Sequence, residues 1–213
     1  MTAGAIRPDV VEVIRSRRSV RRFTTEPVSR EAVELILEAG LSAPSSKNSQ
    51  PWFIAVASGR AKLDVCRWVD ENAEGVDTRP GDMLIDEPQA RPQDSTAQSL
   101  EYVRGAPVLL LVFNRAPFTG GRENIDTAIR NGDRVNFENE YVGIGACMQN
   151  MLLTAHALGL GAVAVMDLLP AGPEIRRAYG IEHDLVLGIA VGHPEHRLAA
   201  RAVEPARFVR VLD

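Results

Sequence analysis

The segment from Glu138 to Leu158 restricts the possible folds of this chain more than any other stretch. Its residues follow helical spacing, and apolar side chains occur almost all the way round the predicted helix, which ends at Gly159. A helix without a solvent-facing side is normally buried on more than one side. Two explanations are open: it is the central helix of its own domain, or it also packs against a second subunit.

The apolar run from Ala106 to Phe113 predicts a buried strand. Further strands are expected at Trp52 to Ala57, Ala162 to Met166 and Asp184 to Val191. Further helices are expected at Asp9 to about Arg18, Ser29 to Ala39, Arg60 to about Asn72, and Pro173 to Tyr179. Asp9 and Ser29 are candidate N-caps, and Gly40 is expected to end the second helix.

Length and composition indicate one domain spanning residues 1–213. Hydrophobic residues make up 45% of the 213-residue chain, which is ample for a core. No apolar run approaches the ~18 residues of a membrane span, and the first residues carry no secretory signal. The two cysteines, Cys66 and Cys147, are too few for a disulfide framework and suit a reducing compartment. We therefore expect a cytoplasmic protein without membrane contact.

The loop from Ser42 to Trp52 is rich in proline, serine and amide side chains. Its hydroxyl and carboxamide groups both donate and accept hydrogen bonds, which suits the edge of a heterocycle or a sugar. The loop is therefore either a ligand cradle or an ordinary connection made of turn-forming residues.

Five arginines lie within eight positions from Arg15 to Arg22. Such a cluster can be a solvated basic face, a nucleic-acid patch, or a phosphate site in which guanidinium groups grip the anion. With 24 basic and 28 acidic residues, the formal net charge is -4, so nucleic acid is disfavoured as a partner. A compact anion beside a polar loop suggests a nucleotide-like cofactor.

Both stretches resemble the opening of the nitroreductase superfamily, whose members bind flavin mononucleotide (FMN). The resemblance rests on Arg17-Arg18-Ser19-Val20-Arg21, on Ser42-Ala43-Pro44-Ser45, and on Asn48-Ser49-Gln50-Pro51-Trp52, in the order and spacing of the family. It resumes from Gly143 to Gly161 and from Val186 to Pro194. It implies an α+β fold with a mixed, largely antiparallel sheet flanked by helices, and a homodimer with FMN bound between the subunits.

The resemblance also implies roles for particular residues. The first motif would bind the flavin phosphate and ring through Arg17, Arg18, Ser19 and Arg21, with Arg21 holding charge on the reduced flavin. The loop would line the ring and ribityl chain through Pro44, Ser45, Ser46, Asn48 and Gln50. An arginine after the last strand would return to the phosphate, for which Arg201 and then Arg197 are the candidates, although solvated tail charges are the alternative. Met166 and Asp167 replace the glycine or Glu-Gly pair that often faces flavin N5 in the family, which leaves that contact open.

The expected activity is an NAD(P)H-dependent reduction of a small aromatic, quinone or nitro acceptor. No separate dinucleotide-binding fold is visible, so donor and acceptor would share one pocket in a ping-pong mechanism. Alternatives are a different reaction on the same fold, such as dehalogenation, heterocycle dehydrogenation or flavin breakdown, or an FMN-binding protein without turnover. His193 and His196 lack a ligand cluster around them, and we expect no metal. Residues 73–100 look irregular and are either disordered or a lid.

Overall fold

The computed structural model describes residues 10–72, 95–121, 124, 134–196, 198–199 and 209–210, which contain six α-helices and four β-strands. The helices are α1 (Val10–Ser16), α2 (Arg30–Leu41), α3 (Gly59–Asn72), α4 (Ser95–Gly105), α5 (Arg134–Ala157) and α6 (Gly172–Tyr179). The strands are β1 (Trp52–Ser58), β2 (Val108–Asn114), β3 (Gly161–Val165) and β4 (Asp184–Gly192). Short 3₁₀ turns occupy Ser46–Asn48 and Leu169–Ala171.

The four strands form one sheet in the order β1-β2-β4-β3, and every neighbouring pair is antiparallel. All seven residues of β2 are buried, which explains the unbroken apolar run from Ala106 to Phe113. A single parallel bridge joins Ser19 to Ala162 at the β3 edge. The prediction of an α+β fold with a largely antiparallel sheet is therefore confirmed.

Helices cover both faces of the sheet, because successive β2 side chains point to opposite sides. Leu109, Leu111 and Phe113 pack with buried residues of α3, α4 and α6. Val108, Leu110 and Val112 pack with buried residues of α2 and α5. Two apolar clusters thus hold the sheet between two helical layers.

Helix α5 is the longest helix of the described residues, at 24 residues, and it begins at Arg134 rather than at Glu138. Ile144, Met151 and Ala155 are fully buried, whereas Val142 keeps 73% of its surface exposed. The prediction that Gly40 ends α2 is wrong, because the helix continues to Leu41 and Gly40 is buried inside it. A Cβ there would lie 2.6 Å from Met151 Cγ, so the glycine permits α2 to approach α5 closely.

The other helix boundaries agree with the predicted ones within a few residues. The side chain of Ser29 accepts a hydrogen bond from the Ala32 N–H, which confirms it as the α2 N-cap. Asp9 and residues 73–94 lie outside the described residues. The prediction that residues 73–100 are irregular is wrong for the last six of them, because Ser95–Gly105 forms the helix α4. None of the helices in the described ranges has the length and apolarity that a membrane span requires.

Candidate functional site

The loop after α2 lies against the N-terminal half of α5. A Cβ on Gly143 would be 3.1 Å from Pro51 Cγ and 3.3 Å from Ser45 Cβ, so the glycine allows the loop to pack closely against α5. The Ser45 hydroxyl accepts a hydrogen bond of 3.0 Å from the Gln50 N–H and closes the loop on itself. The loop is therefore an ordered structure on the central helix.

Three residues of this loop have left-handed backbones, with φ of 51° at Lys47, 53° at Asn48 and 47° at Gln50. Asn tolerates this region, but Lys and Gln rarely adopt it. Backbone strain of this kind is concentrated at ligand sites. In addition, the Ser49 hydroxyl is buried without a hydrogen-bond partner in the described chain, so it is available to a bound group.

The arginine motif runs from the end of α1 along the outer edge of β3. The Val20 N–H donates to the Ala162 carbonyl at 3.1 Å. A Cβ on Gly161 would lie 2.6 Å from Val20 Cβ, so the motif can pair with β3 only because this position is glycine. The edge strand thereby fixes the direction of Ser19 and of the arginines beside it.

Arg18 points back toward the body of the protein. Its Nε donates to the Ala199 carbonyl at 2.7 Å, and Nη1 donates to the carbonyls of Arg15 and Arg17. Nη2 is buried without a partner in the described chain. Arg18 also lines a cavity of about 350 Å³. One donor of this guanidinium therefore remains for a ligand.

Arg17 is a half-buried cation. Burial, followed by the charge of Arg18, lowers the pKa of its guanidinium from the ordinary value. Among the residues that the structure describes, no carboxylate lies within ion-pair distance of either arginine. Two neighbouring cations that are partly removed from water form a receptor for a compact anion.

Helix α4 brings Arg21 and the Met166-Asp167 pair to one region. The Arg21 guanidinium lies 5.7 Å from the centre of the Tyr102 ring. One turn earlier on the same helix, the Ser99 hydroxyl donates to the Asp167 carboxylate. Met166 is 60% exposed beside this contact. The pair after β3 thus lies near Arg21, the cation for which the resemblance implies a role at the reduced flavin.

The predicted site residues form two groups within one chain. Arg17, Arg18, Ser19, Arg21, Met166 and Asp167 lie along β3 and α4, whereas Pro44, Ser45, Ser46, Asn48 and Gln50 lie on the N-terminal half of α5. Ser16, the residue just before the first group, contacts α5 near its other end, where its Oγ is 2.9 Å from His156 Nε2. Since a helix rises about 1.5 Å per residue, Gly143 and His156 are about 20 Å apart. Arg197 and Arg201 lie outside the described residues.

Several residues of these two regions were missed by the sequence analysis. Ser99 and Tyr102 belong to α4, and the spacing of Leu100 and Val103 was the available sign of that helix. Glu140 is fully buried next to the loop region, and no local pattern identifies its partners.

The two cysteines are both buried, as expected for Cys147. Burial raises the pKa of the Cys147 thiol to about 12 and also raises the pKa of Cys66. Both therefore stay protonated at neutral pH and are poor nucleophiles. Within the described ranges, no three histidine, cysteine or acidic side chains are grouped to hold a metal ion.

Comparison with known proteins gives concordant results. The model of the nitroreductase family matches residues 14–193. A 4-nitrobenzoate reductase from Nocardioides sp. is 30% identical over 211 residues, covering 89% of this chain and 83% of that protein. An iodotyrosine deiodinase from Daphnia pulex is 28% identical over 184 residues, covering 84% of this chain but 57% of that protein. A structure from Desulfovibrio desulfuricans, described as a nitroreductase in complex with FMN, shares 30% identity and a TM-score of 0.65, covering 96% of both chains.

Proposed function

This chain belongs to the nitroreductase family, and from that membership we propose that it is an FMN-dependent oxidoreductase that takes electrons from NAD(P)H. The observation that carries the proposal is the half-buried arginine pair, which has no acidic partner in the described chain. The FMN in the related Desulfovibrio desulfuricans structure supports a flavin phosphate as the missing anion.

The residues present fit FMN in both motifs, because each motif contains a buried polar atom without a partner. Arg18 Nη2 offers a donor to a phosphate oxygen, and Ser49 Oγ offers a hydroxyl on the loop side. We assign the phosphate to Arg17 and Arg18, with Ser19 beside them on the β3 edge. Arg197 or Arg201 would add a further cation.

Bound FMN would supply the redox chemistry, a hydride uptake from NAD(P)H and a transfer of the electron pair to an acceptor. Arg21 supplies a fixed positive charge that favours the negative charge of the reduced state. Asp167 adds a negative charge on the same side, and its hydrogen bond from Ser99 holds the carboxylate in one orientation. The two charges would shift the reduction potential in opposite directions, Arg21 upward and Asp167 downward.

Two copies of the chain are required to complete the site. The loop contacts α5 at Gly143, and the residue before the arginine motif contacts it at His156, about 20 Å further along the helix, which exceeds the reach of the side chains. We therefore propose a homodimer in which the loop of one subunit faces the arginine motif of its partner. An apolar groove of about 650 Å³ between α1, α2 and α5 supports this assembly, since Val10, Ile14 and Leu35 are about half exposed or more.

Donor and acceptor are expected to bind in turn. Hydride transfer requires the donor carbon within about 3 to 3.5 Å of the flavin, which leaves no room for a second stacked ring. Ser46, Asn48 and Gln50 border this single space. We propose ping-pong turnover, so double-reciprocal plots against NAD(P)H at several acceptor concentrations should be parallel. Intersecting lines would contradict the shared pocket.

A second candidate activity is reductive dehalogenation, which the iodotyrosine deiodinase relatives favour. It uses the same flavin site with another acceptor. Halide release from an iodinated phenol, measured beside the reduction of a nitroaromatic compound, separates the two. A protein whose FMN is not reduced by NADH or NADPH would instead be a flavin carrier.

The proposal is tested first by the spectrum of the purified protein. Flavin absorption that survives gel filtration, with FMN as the released chromophore, is the expected result. Arg17→Gln should raise the FMN dissociation constant about 10- to 100-fold, because a charge-assisted hydrogen bond is lost. Arg30→Gln is the matched control, since Arg30 is exposed and pairs with Glu34 at 2.7 Å. Colourless protein that does not take up added FMN would refute the proposal.

A further inference from the structure

Lys47 is a cation on the strained loop that borders the proposed flavin site. Its backbone is left-handed, with φ of 51° and ψ of 25°, and its side chain is exposed. The ammonium Nζ lies 6.0 Å from the centre of the Phe118 ring. Within the described chain, no carboxylate lies within ion-pair distance of Lys47. The charge is therefore directed to an aromatic ring and solvent.

The turn that carries Phe118 is held rigidly by Glu140. This glutamate is 0% exposed, and its carboxylate accepts hydrogen bonds from the backbone N–H groups of Phe118 at 2.8 Å and Thr119 at 3.0 Å. It also accepts from Asn114 Nδ2 at 2.7 Å, and Asn114 Oδ1 in turn accepts from the Ala116 N–H. The backbone at the ring is thus fixed before any ligand arrives.

Arg115 joins the turn to the loop. Its backbone N–H donates to the Pro51 carbonyl at 2.7 Å, and its guanidinium donates to the Gln50 carbonyl at 3.2 Å. Arg115 is exposed and, like Lys47, has no carboxylate partner in the described chain. The loop and the turn therefore carry two cations without an acidic partner in the described chain, in a protein whose formal net charge is -4.

We propose that Lys47 and Phe118 form a specificity-determining subsite for an aromatic acceptor that carries a carboxylate. The inference rests on the proposed function, because it requires flavin beside Ser46 and Asn48. The Phe118 ring packs against the ring of the acceptor, and the Lys47 ammonium pairs with its carboxylate. The ammonium can form this ion pair while it stays beside the ring, because the Lys47 side chain is exposed to solvent.

The test compares binding of benzoate and benzamide to the oxidised, FMN-loaded protein, measured by the change in flavin absorbance. Neither compound is reducible, and the two differ in charge but hardly in shape. We expect wild type to prefer benzoate, and Lys47→Met to raise the benzoate dissociation constant about 3- to 10-fold while leaving benzamide unchanged. Lys47→Arg should retain the preference, and high salt should reduce it.

Two further variants sharpen the result. Phe118→Leu should weaken both ligands, because the ring contact is independent of charge. Arg60→Met is the control for general charge effects, since Arg60 is an exposed cation on α3 with 94% of its side chain accessible. It should change neither ligand.

Failure of this inference is distinguishable from failure of the proposed function. If FMN is bound and reduced by NAD(P)H but wild type binds benzoate and benzamide equally, the subsite is refuted alone. It is also refuted if Lys47→Met weakens NADPH and not benzoate, because the anion would then be a phosphate of the donor. If wild type binds no FMN, the proposed function and the subsite are both refuted.

Discussion

Replacing Glu140 should destabilise the protein through the hydrogen bonds that its carboxylate accepts. Glu140→Leu keeps a similar volume but leaves the Phe118 and Thr119 N–H groups and Asn114 Nδ2 without an acceptor. Each unsatisfied buried donor costs about 1–3 kcal/mol. The turn is only half buried, so water can reach part of it and the lower end of that range applies.

We therefore expect Glu140→Leu to lower the free energy of unfolding by about 3 kcal/mol, a large share of the ~5–15 kcal/mol typical of a domain. Glu140→Gln retains one carbonyl acceptor for the two backbone donors and should cost about 1 kcal/mol. Glu31→Leu is the matched control, because Glu31 is exposed in the first turn of α2 and should cost less than about 1 kcal/mol.

Urea unfolding of the FMN-free protein measures these differences. At a slope of about 2 kcal/mol per molar urea, Glu140→Leu should lower the midpoint by about 1.5 M with little change in slope. A midpoint within 0.3 M of wild type (about 0.6 kcal/mol at that slope) would show that the carboxylate does not hold the turn. The structural argument for a rigid Phe118 would then be wrong.

Other outcomes follow from the packing and the titratable groups. Gly161→Ala places a Cβ against Val20 and should lower the free energy of unfolding by about 1–3 kcal/mol, which denaturation measures. It should also weaken FMN binding in a flavin titration, and unchanged FMN affinity would contradict the proposal that the arginine motif holds the phosphate. Cys147, with its pKa raised to about 12, should resist alkylation by iodoacetamide in the native protein at pH 8 and react once unfolded. Burial and two nearby arginines lower the pKa of His156 below its ordinary 6.5. The unfolded state therefore binds more protons, so stability should fall as the pH decreases through about 6.5, and His156→Asn should reduce that slope; an unchanged slope would exclude His156 as its source.

The sequence predicted those features of the fold that depend on the residues of a single helix or strand. The continuous apolar run of β2 predicted a buried strand, and Ser29 predicted the start of α2, because both signals depend on neighbouring residues only. Gly40 shows the limit of such signals. A glycine near the end of a helical pattern normally marks a C-cap, but here close contact with Met151 on another helix requires it.

For the candidate site too, the sequence predicted some features and only the tertiary structure decided the others. The residue types of the two motifs were enough to predict the family, since their order and spacing lie within short segments. Only the tertiary structure decided that the loop and the chain leading into the arginine motif contact α5 at points about 20 Å apart, which is the basis of the proposed homodimer. It also decided the pairing of Ser99 with Asp167 and of Asn114 with Glu140. Side-chain spacing in a sequence reports the surroundings of one element, whereas these contacts depend on how the chain brings distant elements together.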